Sequence, residues 1–357
     1  MVLLRLKLCS AFLALTWFAA LVWIVQAPPV QAQALPQYDL AALEKAISAG
    51  ELGKIRAVAA EQYGKTIYRK RFGSGELGDR VDIKSAGKSI TALAIGMAID
   101  DGKLASVDTP VWPYLDSTRP EPWASITVAD LLSMSSALDC NDWDKKSPGQ
   151  EERMYRKRSW RAFALALPAR EYGRDRGGNG PFSYCTAGVF LLGQVVQKAT
   201  GERFDEYVQR RLFDPLSIDG AQWRKSRSGE IQSGGQLTIS DAALLKIGRL
   251  VLNRGEWNGE RIISEGWLKA MVKPQHQLGE HVHYARLWWL TPLQSSRGFE
   301  GALMMKGNGG NIVALVPSMD AVLVVQAENY NKGYAEKHAF TVLTTLLRSM
   351  PVPSQDL

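Results

Sequence analysis

The chain has 357 residues, 46% hydrophobic and 22% charged, with a formal net charge of +7. That is ordinary globular composition with ample apolar material for a large core, in one large domain or two intimately packed ones. The positive residues (Arg153 to Arg158, Arg210-Arg211, Arg224 to Arg227) are scattered among acids. They form no basic stripe interleaved with aromatics, which argues against nucleic acid as a partner.

Residues 1–34 read as a signal peptide. Arg5 and Lys7 give a basic start, Ala11 to Val25 is a nearly unbroken apolar run, and Ala32-Gln33-Ala34 is a small-x-small cleavage site. The mature chain would begin near Leu35. Phe12–Gln26 is short for a membrane span, so no membrane association is expected after cleavage. Cys9 precedes the apolar run, where a lipoprotein cysteine would not lie. Without Arg5 and Lys7 the charge falls to +5. A periplasmic or secreted location follows. Export leaves Cys140 and Cys185, an even pair in an oxidising compartment, which predicts one disulfide. It would close a loop of about 45 residues and contribute about 4 kcal/mol by chain entropy.

Residues 38–50 read as an amphipathic helix ended by Gly50. Lys54–Ala60 and Thr66–Phe72 read as a β-hairpin. Gly73-Ser74-Gly75-Glu76-Leu77-Gly78 matches G-x-G-x-x-G, but no helix follows it and no βαβ unit surrounds it, so it is read as a loop. Ser85 to Gly102 reads as one helix, apolar nearly all round and therefore buried. From there to about Ser233 the pattern is mostly helical. A helix after Thr127 runs through Leu131, Leu132 and Met134, Asn141–Glu152 is polar and irregular, and Trp160–Leu167 is a short helix. Arg170–Pro181 is a Gly- and Arg-rich loop, and helices cover Ala187–Ala199 and Phe204–Leu212. Two more follow at Ser240–Asn253 and Ser264–Val272. Tyr284–Leu290, Ala302–Lys306, Asn311–Val316 and Val322–Ala327 are β-type runs, and Ala335–Arg348 closes the chain as a helix. Strands at both ends with helices between predict an α+β fold. An antiparallel sheet is built from both chain ends, flanked by helices, with an inserted all-helical lobe. The expected parts are residues 35–84 and 234–357 for the sheet lobe and 85–233 for the inserted lobe.

The chemistry centres on Ser85-Ala86-Gly87-Lys88. Three apart, Ser85 and Lys88 share one face of a helix start. Desolvation and the positive end of the helix dipole both disfavour a charged lysine there. A neutral lysine beside a serine can take the serine proton and activate a nucleophile. First-turn N–H groups could serve a developing oxyanion. Tyr184, just before the second apolar helix, could relay protons. Lys306-Gly307-Asn308-Gly309-Gly310 lies between two strands, where its glycines permit close backbone approach and its N–H groups could complete an oxyanion hole with Ser85. One ring of Trp288-Trp289 would line the site. His276, His281, His283 and His338 carry no metal-ligand pattern and are read as surface or structural. There is no G-x-S-x-G nucleophile elbow.

Together these pieces resemble the serine β-lactamase and penicillin-binding protein superfamily, in its class C-like branch, which also holds esterases, D-aminopeptidases and 6-aminohexanoate-dimer hydrolases. The resemblance runs from about Leu52 to Thr345. Ser85-Ala86-Gly87-Lys88 matches Ser-x-x-Lys, which implies Ser85 as nucleophile and Lys88 as base. Leu131-Leu132-Ser133-Met134-Ser135-Ser136-Ala137-Leu138 is similar to the family's "LLxMxSGL" turn, with Ala137 for glycine. Tyr184 matches the tyrosine of Tyr-x-Asn. Gly307-Asn308-Gly309-Gly310, followed by Pro317 and Asp320, resembles the third-motif strand turn.

Two departures matter. Thr186 replaces the asparagine of Tyr-x-Asn, which in β-lactamases contacts the substrate amide. The Lys/His-Thr/Ser-Gly motif is degraded, with Lys306-Gly307-Asn308 and Met305-Lys306-Gly307 both possible registers. The resemblance then implies a serine hydrolase of a small-molecule amide or ester, without cofactor or metal. Ser85, Lys88 and Tyr184 are the catalytic candidates, and Ser85 and Asn308 the oxyanion donors. Thr186, Lys306, Gly307, Gly309 and Trp289 are the substrate-binding candidates. A penicillin-binding D,D-carboxypeptidase, a true β-lactamase and a non-catalytic sensor on the same fold are the alternatives.

Overall fold

The computed structural model describes residues 39–351, apart from Leu77, Asp116, Ser117, Pro122 and residues 171–179. The expected signal peptide and most of the Gly- and Arg-rich loop lie outside the described residues. Helix α1 (Leu40–Ser48) starts where the Asp39 carboxylate accepts from Ala42 N–H at 2.7 Å, an N-cap that satisfies an orphan donor. Strands β1 (Ile55–Gln62) and β2 (Lys65–Arg71) follow as the expected hairpin. Its turn is Tyr63-Gly64, both with positive φ (52° and 72°), the two-residue geometry that matches strand twist.

Short strand β3 (Val81–Asp82) leads into a 3-10 turn, Lys84–Gly87, and then the buried helix α2 (Lys88–Asp100). The expected helix therefore starts one turn later than Ser85. The chain is pinned at this point by two bonds to one neighbouring stretch: Ile83 N–H donates to Leu237 O, and Lys84 O accepts from Gln236 N–H. Lys84 itself takes a φ of 53°. Helices α3 (Val128–Leu132), α4 (Glu151–Tyr155), α5 (Trp160–Leu165), α6 (Thr186–Thr200) and α7 (Phe204–Val208) come next. Thr127 and Asp130 close a capping box at the start of α3. Helix α4 corrects the reading of Asn141–Glu152 as irregular to its end. After α7 the chain continues as a π-turn over Gln209–Phe213, so the expected Phe204–Leu212 helix is two pieces.

Strands β4 (Gln222–Trp223) and β5 (Leu237–Ile239) join β3 in a small sheet that the sequence pattern did not reveal. Two- and three-residue strands carry no readable alternation. Helix α8 (Asp241–Leu252), a small hairpin of β6 (Glu256–Trp257) and β7 (Glu260–Arg261), and helix α9 (Glu265–Met271) precede the C-terminal strands. These are β8 (His276–Gln277), β9 (His283–Tyr284), β10 (Trp289–Ser295), β11 (Gly298–Gly307), β12 (Asn311–Val316) and β13 (Ala321–Ala327), closed by helix α10 (Ala335–Ser349). The expected strand Tyr284–Leu290 is broken between β9 and β10. There Leu287 takes a φ of 61°, its N–H donates to Leu132 O, and its carbonyl accepts from Ser89 Oγ at 2.7 Å. The break ties the sheet to α2 and α3.

The large sheet is antiparallel, in the order β2-β1-β13-β12-β11-β10-β9-β8. Strands from both chain ends thus meet at β1–β13, where Ala60 pairs with Leu323. The fold is α+β, as expected. Side-chain alternation splits its core in two. Val58, Ala60, Leu323 and Val325 pack with Leu343 and Leu347 of α10. Ala59, Val322 and Val324 belong to the larger core that also holds Ile90, Leu93 and Met97 of α2. Each such fully buried Leu, Ile or Met contributes about 1.5–3 kcal/mol. Among the described residues, helices α2 to α7 contain no strand of the large sheet between them.

Candidate active site

Lys88 opens α2 with its side chain 1% exposed, deep in the core. Its Nζ has three partners: Ser85 Oγ at 2.8 Å, Thr186 Oγ1 at 2.9 Å and Gly234 O at 2.7 Å. Burial pushes the lysine below its ordinary pKa, and the Glu151 and Asp142 carboxylates oppose that shift. The Ser–Lys contact exists because the 3-10 turn and the first turn of α2 place residues three apart on one face. Glycines make the turn fit. A Cβ on Gly87 would meet Gly235 Cα at 3.3 Å, and one on Gly307 would meet Ile83 O at 2.0 Å.

Tyr184 lies beside this pair, with Lys88 Nζ 5.0 Å from its ring centroid. Burial pushes its hydroxyl well above the ordinary tyrosine range, and a hydrogen bond with Ser85 opposes the rise. The strap carrying Tyr184 is fastened to residues 134–142. Ser183 N–H donates to Met134 O at 2.7 Å, Ser183 Oγ donates to Cys140 O at 2.7 Å, and Asp142 N–H donates to Tyr184 O at 2.8 Å. The Cys140–Cys185 disulfide, expected from the sequence, adds a covalent tie with the Cα atoms 5.4 Å apart. Trp143, 62% exposed, stacks on the Tyr184 ring at 5.3 Å, and the Trp289 ring lies 6.2 Å from it.

Two carboxylates unforeseen in the sequence stand behind Lys88. Asp142 accepts from Thr186 N–H at 2.7 Å through Oδ2 and from Glu151 N–H at 2.9 Å through Oδ1. Glu151 Oε2 accepts from Thr186 Oγ1 at 3.1 Å and from Tyr155 Oη at 2.9 Å. Burial first, then the neighbouring Glu151 charge, pushes Asp142 up to about 6, against the pull of Lys88 and Thr186. Asp142 and Glu151 sit in a polar segment without periodicity, where no spacing rule marks that they converge. Gly234 was legible only as part of a Gly-Gly pair, a signal of close backbone approach.

Thr186 is fully buried between Lys88 and Glu151. Lys306 and Gly307 alternate in direction along β11. Gly307 backs onto the Ser85 turn. Lys306 Nζ bonds Glu336 and lies 5.6 Å from the Phe340 ring, both on α10, and 4.6 Å from the Trp289 ring. Asn308 pairs its side chain with Asn331, through Nδ2 to Oδ1 at 2.6 Å and Asn331 N–H to Asn308 Oδ1 at 2.8 Å. Gly309 takes a φ of 90° against Tyr330, where a side chain would collide. A cleft of about 280 Å³ opens over Ser85, lined also by Glu151, Tyr155, Gly235, Asn308 and Tyr330. Among the described residues no three His, Cys, Asp or Glu side chains are grouped to hold a metal. The arrangement offers a serine hydroxyl in contact with a buried amine, facing an open cleft, with backbone N–H groups and a tyrosine at hand.

The Beta-lactamase family model matches residues 56–345. Over 263 residues the chain is 27% identical to the 6-aminohexanoate-dimer hydrolase of Paenarthrobacter ureafaciens, covering 69% of this chain and 65% of that relative. The chain thus spans just under two thirds of that relative's length. Among solved structures, a penicillin binding protein from Bacillus halodurans superposes with a TM-score of 0.66 at 20% identity, covering 85% of this chain and 98% of the other. A class C beta lactamase from Rhodobacter sphaeroides superposes with a TM-score of 0.64 at 17% identity, covering 86% and 98%. These likenesses establish a shared fold. The family match takes in the Ser85 turn, α2, the Tyr184 strap and the β11–β12 turn, and by it the chain belongs to the beta-lactamase family.

Proposed function

We propose that this protein is an exported serine hydrolase that cleaves an amide or ester bond of a small molecule through an acyl-enzyme on Ser85. The observation that carries this reading is the 2.8 Å contact between Ser85 Oγ and the fully buried Lys88 Nζ. Ser85 Oγ attacks the substrate carbonyl and gives its proton to Lys88. Burial favours this assignment twice, lowering the lysine and raising the tyrosine, so Lys88 is the acceptor and Tyr184 keeps its proton at neutral pH. The N–H groups of Ser85 and Asn308 stabilise the tetrahedral oxyanion. The proton held by Lys88 passes, with Tyr184 as carrier, to the departing amine or alcohol. Water then attacks the acyl carbon, Lys88 takes its proton, and Ser85 leaves with a proton restored.

The Trp143 and Trp289 rings beside Tyr184 would meet a substrate that extends past Ser85 on that side. Gly307 and Gly309 let the β11–β12 turn pack closely against the Ser85 turn and Tyr330, which brings Asn308 to the edge of the cleft. No metal or organic cofactor is implied by these steps. The cleavage site after Ala34 and the Cys140–Cys185 bond support export to the periplasm or beyond the cell. The test is turnover of p-nitrophenyl esters by residues 35–357. Ser85→Ala should abolish it, and undiminished turnover would overturn the reading. A penicillin adduct that persists on Ser85 without ester turnover would favour a penicillin-binding sensor instead.

A further inference from the structure

We propose that Glu151 and Thr186 form a positioning relay that aims the Lys88 lone pair at Ser85. The proposal rests on the reading of Ser85 as nucleophile and Lys88 as base. It follows from counting protons. Thr186 Oγ1 carries one proton and lies 2.9 Å from Lys88 Nζ and 3.1 Å from Glu151 Oε2, with the Asp142 carboxylate also in reach. A carboxylate oxygen accepts, so the threonine proton goes to a carboxylate, with Glu151 Oε2 at 3.1 Å, and the threonine oxygen accepts from Lys88. Gly234 O, 2.7 Å from Nζ, also only accepts. Both N–H bonds of a neutral lysine are therefore committed away from the serine. The one direction left, toward Ser85 Oγ at 2.8 Å, holds the lone pair.

Without Glu151 as acceptor, Thr186 could donate to Lys88 instead. The lone pair would then be spent on the threonine, and Lys88 would meet Ser85 with an N–H. After proton transfer the ammonium has three N–H groups for the same three acceptors, so the geometry serves both states without rearrangement.

The relay is itself held in place. Asp142 binds the backbone N–H groups of both Glu151 and Thr186, which joins the starts of α4 and α6. Tyr155 Oη, one turn along α4, donates to the same Glu151 oxygen that Thr186 uses. The titratable groups around Lys88 are thus Tyr184, Asp142 and Glu151, with Tyr155 and the Arg224 guanidinium behind them. Glu151 and Thr186 are positioning residues here, acting through Lys88. This also gives Thr186 a role suited to its full burial.

The test is pre-steady-state and steady-state hydrolysis of a p-nitrophenyl ester by four variants of the mature chain. Thr186→Val keeps the shape and removes the hydroxyl. It should lower the acylation rate and kcat by roughly 10- to 100-fold, with KM little changed. Thr186→Ser restores the hydroxyl and should recover most of that loss. Glu151→Gln keeps the acceptor oxygen and removes the charge that favours the ammonium, so the acidic limb of the kcat/KM profile should move to lower pH. Wild-type acylation in Thr186→Val overturns the relay. If that variant does not fold, an unmoved acidic limb in Glu151→Gln overturns it. Ser85→Ala separates the two claims. Activity surviving there defeats the underlying reading. Activity lost there but intact in Thr186→Val and unshifted in Glu151→Gln defeats only the relay.

Discussion

Gly307 of β11 lies so close to the carbonyl of Ile83 that a Cβ on it would stand 2.0 Å from that oxygen and 2.9 Å from Ala86 N. The sheet and the Ser85 turn are in backbone contact across this point, and the contact sets the distance between Ser85 and Asn308. Gly307→Ala must push β11 from the turn. Overpacking of this kind costs about 1–3 kcal/mol. Displacing one oxyanion donor costs about 10²-fold in kcat. The variant should therefore fold with a lowered thermal midpoint and show a loss in kcat larger than any change in KM. Steady-state ester kinetics with a melting curve check both.

The buried Lys88 makes stability depend on pH with a defined sign. Its folded pKa lies below its unfolded value of about 10.4. Between those two values the unfolded chain holds a proton that the folded chain lacks, so stability rises with pH across that window. Lys88→Met removes this titration and a desolvated amine. The difference in unfolding free energy, wild type minus variant, should climb as pH is raised through that window toward the unfolded value. A difference that stays flat would mean that burial does not perturb Lys88. Activity in the same variant should fall by about 10²–10⁴-fold, the ordinary contribution of a general base.

The Cys140–Cys185 bond joins the segment after α3 to the N-cap of α6, one residue beyond Tyr184. Replacing both cysteines by serine should cost about 2–4 kcal/mol. Loss of the tie also frees the Tyr184 strap, so kcat should drop even at temperatures where the variant is fully folded. Denaturant unfolding and ester turnover at 15 °C would separate the two effects. Equal unfolding midpoints for variant and wild type would contradict the stabilising role.

Much of this molecule is legible in its sequence because local rules decide it. Ser85 and Lys88 meet because they are three apart at a helix start. Asp39, Thr127, Ser240 and Ser264 cap helices that the spacing of apolar residues already marks. Strands β12 and β13 are short, nearly continuous apolar runs, the pattern of strands buried on both faces. What stays hidden depends on distant parts of the chain. Asp142 and Glu151 reach Lys88 only because α4 and α6 start side by side, and no spacing rule links position 88 to positions 142 and 151. Gly234 O becomes a lysine partner only once β5 lies against the Ser85 turn. The break between Tyr284 and Trp289 is set by Leu287 bonding to Ser89 and Leu132, a tertiary contact that overrides strand propensity. The opposite directions of Lys306 and Gly307 could have been read from strand alternation, given that Leu303 and Met305 are core residues on one side.

The most direct measurement is the location of the covalent intermediate. Residues 35–357 would be mixed with a p-nitrophenyl ester, quenched in acid on the millisecond scale, digested and mapped by mass. An acyl group on the peptide containing Ser85, absent in Ser85→Ala and appearing no later than the p-nitrophenol burst, is the expected result. Ester turnover with no acyl group on Ser85 at any time would contradict the nucleophile assignment.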